Sequence, residues 1–394
     1  MRRQMCCTVV AAGLYLLSSF SVAEQGFPPQ PPSFSSTEVK DDRTIVVRLW
    51  APEAKAVRFS SSDLPNGGQF GRGVEMKKTD NGVWEGTVGP APAGTYRYNF
   101  NVDGLGVIDP RNPATSESNA NTWSVLYVPG SGVSDLKDVP HGAVASWQYF
   151  SKSLNRFRRA HVYTPPGYEQ GTDKLPVLYL LHGASDSDAS WSTVGRAGLV
   201  LDNLIAAGKA ERMIVVMPMG HTGAFSFGPR GGNFQRQMSD FQRDFCEDLR
   251  PQVEQRYRIS NERRHRAIAG LSMGGAQTLD IAFSKLEDYG FIGVFSSGVF
   301  GIAGGAGGAG NDGQSWQKLH ESVLANPELK KGLKLVWFAT GKDDFLLKTT
   351  QETVKVLKAS GFEVTYTESE GGHTWINWRE NYLPEFAQLL FHDR

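Results

Sequence analysis

The stretch Arg266-Ala267-Ile268-Ala269-Gly270-Leu271-Ser272-Met273-Gly274-Gly275 decides how the larger part of this chain is read. A short apolar strand runs into Gly-x-Ser-x-Gly, and a helical pattern follows. A nucleophilic serine needs this arrangement. The sharp strand-to-helix turn strains its backbone and lifts Oγ out of the sheet. Gly270 and Gly274 flank the turn because side chains there would collide. The helix N-terminus offers unpaired N–H groups, that of Met273 among them, where an oxyanion would form. Alone the pentapeptide is a weak signal in a chain with 44 glycines, and a glycine-lined turn with an idle serine is the plain alternative. The strand before it and the helix after it give it weight.

The surroundings fit. Residues 176–181, 213–217, 290–295 and 333–338 are continuous apolar runs, as expected of central strands buried on both faces. Helical patterns at 241–257, 275–285 and 349–359 lie among them. This alternation predicts an α/β domain over residues 140–394. In such sheets reactive side chains gather at the carboxyl ends of strands.

A serine nucleophile needs a base, and the base an orienting group. Among eight histidines, His373 lies in Gly371-Gly372-His373-Thr374-Trp375, on a glycine-rich loop beyond the last strand. Upstream, the 333–338 run leads into Ala339-Thr340-Gly341-Lys342-Asp343-Asp344, which places a carboxylate just past a strand end. Asp344 is preferred to Asp343, since a strand–Gly-x-x-Asp loop turns its last member inward; either could instead cap the helix that follows. The order Ser272, Asp344, His373 is that of α/β-hydrolases. A second oxyanion donor is expected after an earlier strand. Leu180-Leu181-His182-Gly183-Ala184 fits, with the N–H of Ala184 as donor and His182 as loop support.

The remaining histidines have no ligand spacing, so no metal or other cofactor is expected. The glycine-rich segment from Gly301 to Gly313 lacks the strand, lysine and helix of a phosphate cradle; it reads as a flap or a plain insertion. Trp191, Trp375 and Trp378 lie near the site loops. Trp191 and Trp375 are candidate flat walls for an aromatic acyl group or a sugar ring, whereas core packing suits Trp378.

The N-terminal part has a different texture. Short alternating segments between residues 41 and 129 predict a small immunoglobulin-like β-sandwich. The clearest places Tyr96, Tyr98, Phe100 and Val102 on one face and Arg97, Asn99 and Asn101 on the other, before a tight Asp103-Gly104 turn. Residues 24–40 and 130–139 read as linkers. Arg2 and Arg3, an apolar run and Ser21-Val22-Ala23 read as a secretory signal over residues 1–23, too short in its apolar core for a membrane span. A secreted or periplasmic protein is expected, with no membrane attachment after cleavage. The mature chain keeps one cysteine, Cys246, assigned to packing. The 41 basic and 41 acidic residues cancel, so the basic footprint of a nucleic-acid binder is absent.

Arg159 to Tyr168, Leu180-Leu181-His182-Gly183, Gly270 to Gly275 and Gly372-His373-Thr374-Trp375 resemble the esterase-D-like α/β-hydrolases, and within them the bacterial feruloyl esterases of carbohydrate esterase family one. Leu49-Trp50-Ala51-Pro52, Gly94 to Tyr98 and Val102-Asp103-Gly104 with Asp109-Pro110 look like an early-set domain of the glycogen-binding type. The resemblance implies a serine esterase acting on hydroxycinnamoyl esters of xylan or its oligosaccharides, with possible polysaccharide contact through the β-domain. Siderophore and acetylxylan esterases share the family and are the alternatives. A non-catalytic carbohydrate binder is the reading from a different class.

Overall fold

The computed structural model describes residues 31–65, 67, 73–223, 234–302 and 316–392. The expected signal segment, the first part of the 24–40 linker, and the Gly301–Gly313 loop beyond Ile302 lie outside them. Residues 34–394 contain an all-β domain followed by an α/β domain.

The β-domain is a sandwich. Strands β1 (Thr37–Val39), β2 (Ile45–Trp50), β5 (Lys77–Lys78) and β6 (Val83–Val88) form one sheet in the order β1-β2-β6-β5. Strands β3 (Val57–Ser60), β4 (Val74–Glu75), β7 (Gly94–Val102), β8 (Leu105–Val107), β9 (Thr115–Glu117) and β10 (Thr122–Val128) form the other, with β7 at its centre. Ile45, Val47 and Leu49 from one sheet meet Phe59, Tyr96, Tyr98 and Phe100 from the other in a single core. The alternation in β7 sends those aromatics inward. Yet Thr95 and Arg97, on its polar face, are also buried. The α/β domain covers them: the Thr95 carbonyl accepts from Arg379 Nη1 at 2.8 Å, and Arg97 Nη1 donates to Asp186 at 2.7 Å.

In both segments read as linkers, described residues are structured. Residues 37–39 pair with β2. In the 130–139 segment Ser134 is fully buried, and Asn203 Nδ2 donates to the carbonyls of Val133 and Asp135 at 2.8 Å each. Polar side chains of the α/β domain thus satisfy that backbone, which a free linker would leave to water.

The α/β domain is built on eight strands: β11 (Ala143–Ser151), β12 (Arg156–Thr164), β13 (Val177–Leu181), β14 (Ile214–Pro218), β15 (Arg266–Leu271), β16 (Phe291–Phe295), β17 (Leu335–Gly341) and β18 (Thr365–Ser369), in the order β11-β12-β14-β13-β15-β16-β17-β18. From β14 to β18 neighbours run parallel; β11 and β12 are antiparallel additions at one edge. Val177, Tyr179 and Leu181 enter the core on one face, and Leu178 and Leu180 the core on the other. That two-sided burial explains the unbroken apolar runs. After β13 the chain crosses to β14 on one side and returns to β15 on the other, so the order reverses beside β13. Ligands of open α/β sheets bind at such a switch point.

Helices α1 (Ala197–Ala206), α2 (Phe234–Asp244), α3 (Arg250–Arg256) and α4 (Met273–Ser284) pack among the strands. The expected single helix over 241–257 is α2 and α3 joined by a wider π turn at Phe245–Leu249, which carries the half-buried Cys246. Pro251 follows at once and lacks the N–H needed to continue the α-helical ladder.

Candidate active site

Ser272 occupies the turn between β15 and α4 with φ 53° and ψ −119°, a strained conformation for a residue with a β-carbon. Its N–H donates to the Phe295 carbonyl at 2.9 Å and its own carbonyl accepts from Ser297 Oγ, so β16 and the chain beyond it hold the turn. A β-carbon on Gly274 would lie 2.6 Å from the His182 carbonyl oxygen, and one on Gly270 would overlap the Gly274 carbonyl. Glycine is required at both places because the loop after β13 and the start of α4 press on the turn. The geometry is that of a strand-to-helix nucleophile turn.

His373 and Asp344 come together. His373 lies past β18 and Asp344 past β17, and Nδ1 of the histidine is 3.0 and 2.9 Å from the two carboxylate oxygens. Asp344 is buried and also accepts the Leu346 N–H at 2.8 Å, whereas Asp343 is exposed. Burial works against the Asp344 charge. Hydrogen bonding and attraction from His373, the Leu346 N–H and Ser296 outweigh it and hold the carboxyl below its ordinary range. Among the described residues neither Ser272 Oγ nor His373 Nε2 has a hydrogen-bond partner, so the serine–histidine contact is not made here. Such contacts tighten when substrate binds.

The expected oxyanion donors belong to the helix that follows the serine and to the loop after β13. Met273 is the first residue of α4, and Ala184 lies in the loop after β13, packed against Met273, Met238 and Ala276. The site of a Gly183 β-carbon is 3.5 Å from Ser272 Cβ, which brings this loop against the nucleophile. Among the described residues no acceptor takes the N–H of Met273 or of Ala184. His182 supports the loop. Its Nε2 accepts the Gly220 N–H at 2.8 Å, so Nδ1 carries the proton and donates to the Gly183 carbonyl at 2.8 Å. Burial lowers its pKa and keeps it neutral.

The aromatic walls require correction. Trp191 is 0% exposed and Trp375 is 2% exposed, so neither offers a face to a ligand. Trp191 donates from Nε1 to the Leu181 carbonyl at 3.1 Å, and Trp375 stands edge-on against it with ring centres 5.0 Å apart. Trp378 continues the cluster, its ring 5.4 Å from Trp375 and 4.9 Å from His373. These rings form the packed bed beneath the histidine. The aromatic that does face outward is Phe345, 75% exposed, with its ring 4.4 Å from His373. Sequence reading passed over it; its signal was an apolar residue directly after the chosen aspartate, where a solvated loop needs none. Farther along this end of the sheet an open cavity of about 510 Å³ lies between the domains, with Glu117 and Asn119 on one wall and Gln148, Phe157 and His221 on the other.

A family model described as a putative esterase matches residues 151–389, and one described as carbohydrate-binding module 48, the isoamylase N-terminal domain, matches residues 34–133. Among curated proteins, an endo-1,4-β-xylanase/feruloyl esterase of Xylanibacter ruminicola is 31% identical over 380 residues, which are 93% of this chain and 48% of that one. The chain thus spans about half the length of this relative. A solved ferulic acid esterase of Anaeromyces mucronatus, in complex with ferulic acid, is 21% identical with a TM-score of 0.57, covering 67% of this chain and 96% of that chain. The enterobactin esterase of Shigella flexneri, solved in the presence of enterobactin, is 17% identical with a TM-score of 0.59, covering 88% and 94%. At these identities the two structures speak to the fold alone. The esterase match takes in more than half of the chain and the whole segment that carries Ser272, Asp344 and His373, so this chain belongs to the esterase family, with a β-domain of the carbohydrate-binding module 48 type before it.

Proposed function

We propose that the protein is a serine carboxylic-ester hydrolase that releases hydroxycinnamoyl groups, ferulate among them, from plant cell-wall xylan or its oligosaccharides. The single observation that carries the reaction type is the pairing of half-buried His373 with buried Asp344 at the carboxyl ends of β18 and β17, with Ser272 on its strained turn at the end of β15. His373 Nε2 takes the Oγ proton as Ser272 attacks the ester carbonyl. Asp344 keeps the proton of His373 on Nδ1 and stabilises the imidazolium. The N–H groups of Met273 and Ala184 receive the oxyanion. Collapse expels the alcohol, which takes the proton from His373. Water then attacks the acyl-enzyme, gives a proton to His373, and the acid leaves as Ser272 recovers its own.

The feruloyl choice rests on the name of the Xylanibacter ruminicola relative and on the exposed Phe345, which offers an aromatic acyl group a stacking face beside His373. The cavity between the domains, where Glu117, Arg156 and Arg159 stand beside Asn119, Gln148 and the exposed Phe157, offers a glycan both hydrogen-bonding groups and an apolar face. Export through the N-terminal signal would bring the enzyme to such a substrate; the arginines, apolar run and small residues of positions 1–23 support it.

One observation favours a second reading. The enterobactin esterase likeness takes in 88% of this chain, hence part of the β-domain as well. Side-by-side turnover of methyl ferulate, an acetylated xylan and ferric enterobactin separates the readings. Methyl ferulate is expected to be cleaved with the highest kcat/KM. Preference for ferric enterobactin would replace the substrate assignment, and preference for acetylated xylan would move it to acetyl esters.

A further inference from the structure

The loop between β13 and Trp191 is held from outside its own domain. Arg97 stands on β7 of the β-domain and is 6% exposed. Its Nε and Nη2 reach Asp63 at 2.9 and 3.1 Å, and its Nη1 donates to Asp186 Oδ1 at 2.7 Å. The second oxygen of Asp186 accepts the Gly183 N–H at 3.2 Å, and the Asp186 N–H returns to the Gly183 carbonyl at 3.2 Å. Gly183 in turn lies against Ser272 and precedes Ala184. The same guanidinium is 5.8 Å from the ring of Trp375, two residues past His373. Neighbouring loop residues are fastened alike: Ser185 accepts the Asn119 N–H at 3.3 Å, and Ser187 Oγ donates to the Glu117 carbonyl at 2.9 Å.

Asp186 is 2% exposed, so its charge needs a partner, and Arg97 from the β-domain is that partner. Burial opposes the charges of Arg97 and Asp63, and their pairing overcomes it, raising the arginine and lowering the aspartate. An appended glycan-binding module has no need to place an arginine there. We infer that Arg97 is a positioning residue for catalysis: through Asp186 it fixes the Gly183–Ala184 backbone against Ser272, which makes the β-domain part of the catalytic apparatus. The inference rests on the serine-esterase reading above.

The test uses the full chain as wild type, Arg97→Met, Arg97→Lys and Asp186→Asn. Two quantities are read: steady-state kinetics on methyl ferulate, and affinity for an aryl boronic acid that forms a tetrahedral adduct on the serine. A misplaced oxyanion donor weakens the transition state and leaves ground-state binding alone. Arg97→Met and Asp186→Asn are therefore expected to lose about ten- to a hundredfold in kcat, less than deletion of a donor outright. KM should stay within about threefold, boronate affinity should fall in parallel with kcat, and Arg97→Lys should recover part of the loss. Should Arg97→Met fail to fold, Asp186→Asn and Arg97→Lys, which keep the shape or the charge, decide. Folded variants with a lowered Tm but kcat and boronate affinity within about twofold of wild type would overturn the inference and leave Arg97 as a structural brace. Wild type that neither turns over an ester nor binds the boronate would overturn the esterase reading instead.

Discussion

Replacing Asp344 by Asn changes one atom and should cost most of the activity. The Leu346 N–H lies 2.8 Å from Oδ1, so an asparagine there keeps its oxygen at that position and places its NH2 where Oδ2 was. That NH2 then faces His373 Nδ1 at 2.9 Å as a donor. Where the imidazole accepts from this NH2, its proton moves to Nε2, which can then no longer accept from Ser272; the retained oxygen, 3.0 Å from Nδ1 but shared with the Leu346 N–H, holds the productive tautomer only in part. A loss of about 10⁴ in kcat follows, equivalent to about 5.5 kcal/mol of transition-state stabilisation. Asp343→Asn is the control, since Asp343 is exposed and its N–H donates to the Gly371 carbonyl. It should stay within about twofold of wild type. The assay is kcat on methyl ferulate for the three proteins, with near-UV circular dichroism to show that each is folded. A folded Asp344→Asn enzyme that loses less than about tenfold, or a larger loss in Asp343→Asn, would refute the tautomer argument.

Other consequences are open to direct measurement. Phe345→Ala removes the exposed ring beside His373 and should raise KM for aryl esters by about two- to tenfold while sparing acetyl esters, as expected of one aromatic contact; an equal effect on both ester classes would deny it a role in acyl selection. Trp191→Ala should cost about 3–5 kcal/mol in urea unfolding, because the ring is fully buried; undiminished stability with a raised KM would return Trp191 to the ligand wall. Asp188 is held at about 2 because, although burial works against its charge, bonds from His161 and Arg159 outweigh it. A carboxyl lowered on folding stabilises the protein above its unfolded value, about 3.9, and the contribution disappears as pH falls through its folded value. The Tm gap between wild type and Asp188→Asn should therefore be full at pH 6 and close between about pH 4 and 2; a gap constant down to pH 2 would contradict it.

Much of the fold was legible because burial leaves a periodic trace. The alternation Tyr96, Tyr98, Phe100 marked the inner face of β7, and all three are fully buried. The continuous runs at β13 to β17 marked strands covered on both faces. Strand β11 left no such trace, since it is an edge strand whose first residues are exposed. The turn at Ser272 could be anticipated because only glycine tolerates the contacts made at positions 270 and 274. The tryptophans could not be sorted, because a large flat ring suits a ligand wall and a core equally and only its neighbours decide. Arg97 was equally silent. Its place on the polar face of β7 was plain, but whether that face meets water or another domain is set by contacts with Asp186, eighty-nine positions away.

The most direct measurement is covalent labelling by a fluorophosphonate, with the labelled peptide located by mass and ester turnover followed in the same samples. One adduct is expected, on Ser272, with simultaneous loss of methyl ferulate hydrolysis. A folded Ser272→Ala protein should take no label and lose several orders of magnitude in kcat. Absence of labelling in the wild type, labelling elsewhere, or near-normal turnover by Ser272→Ala would contradict the account at its centre.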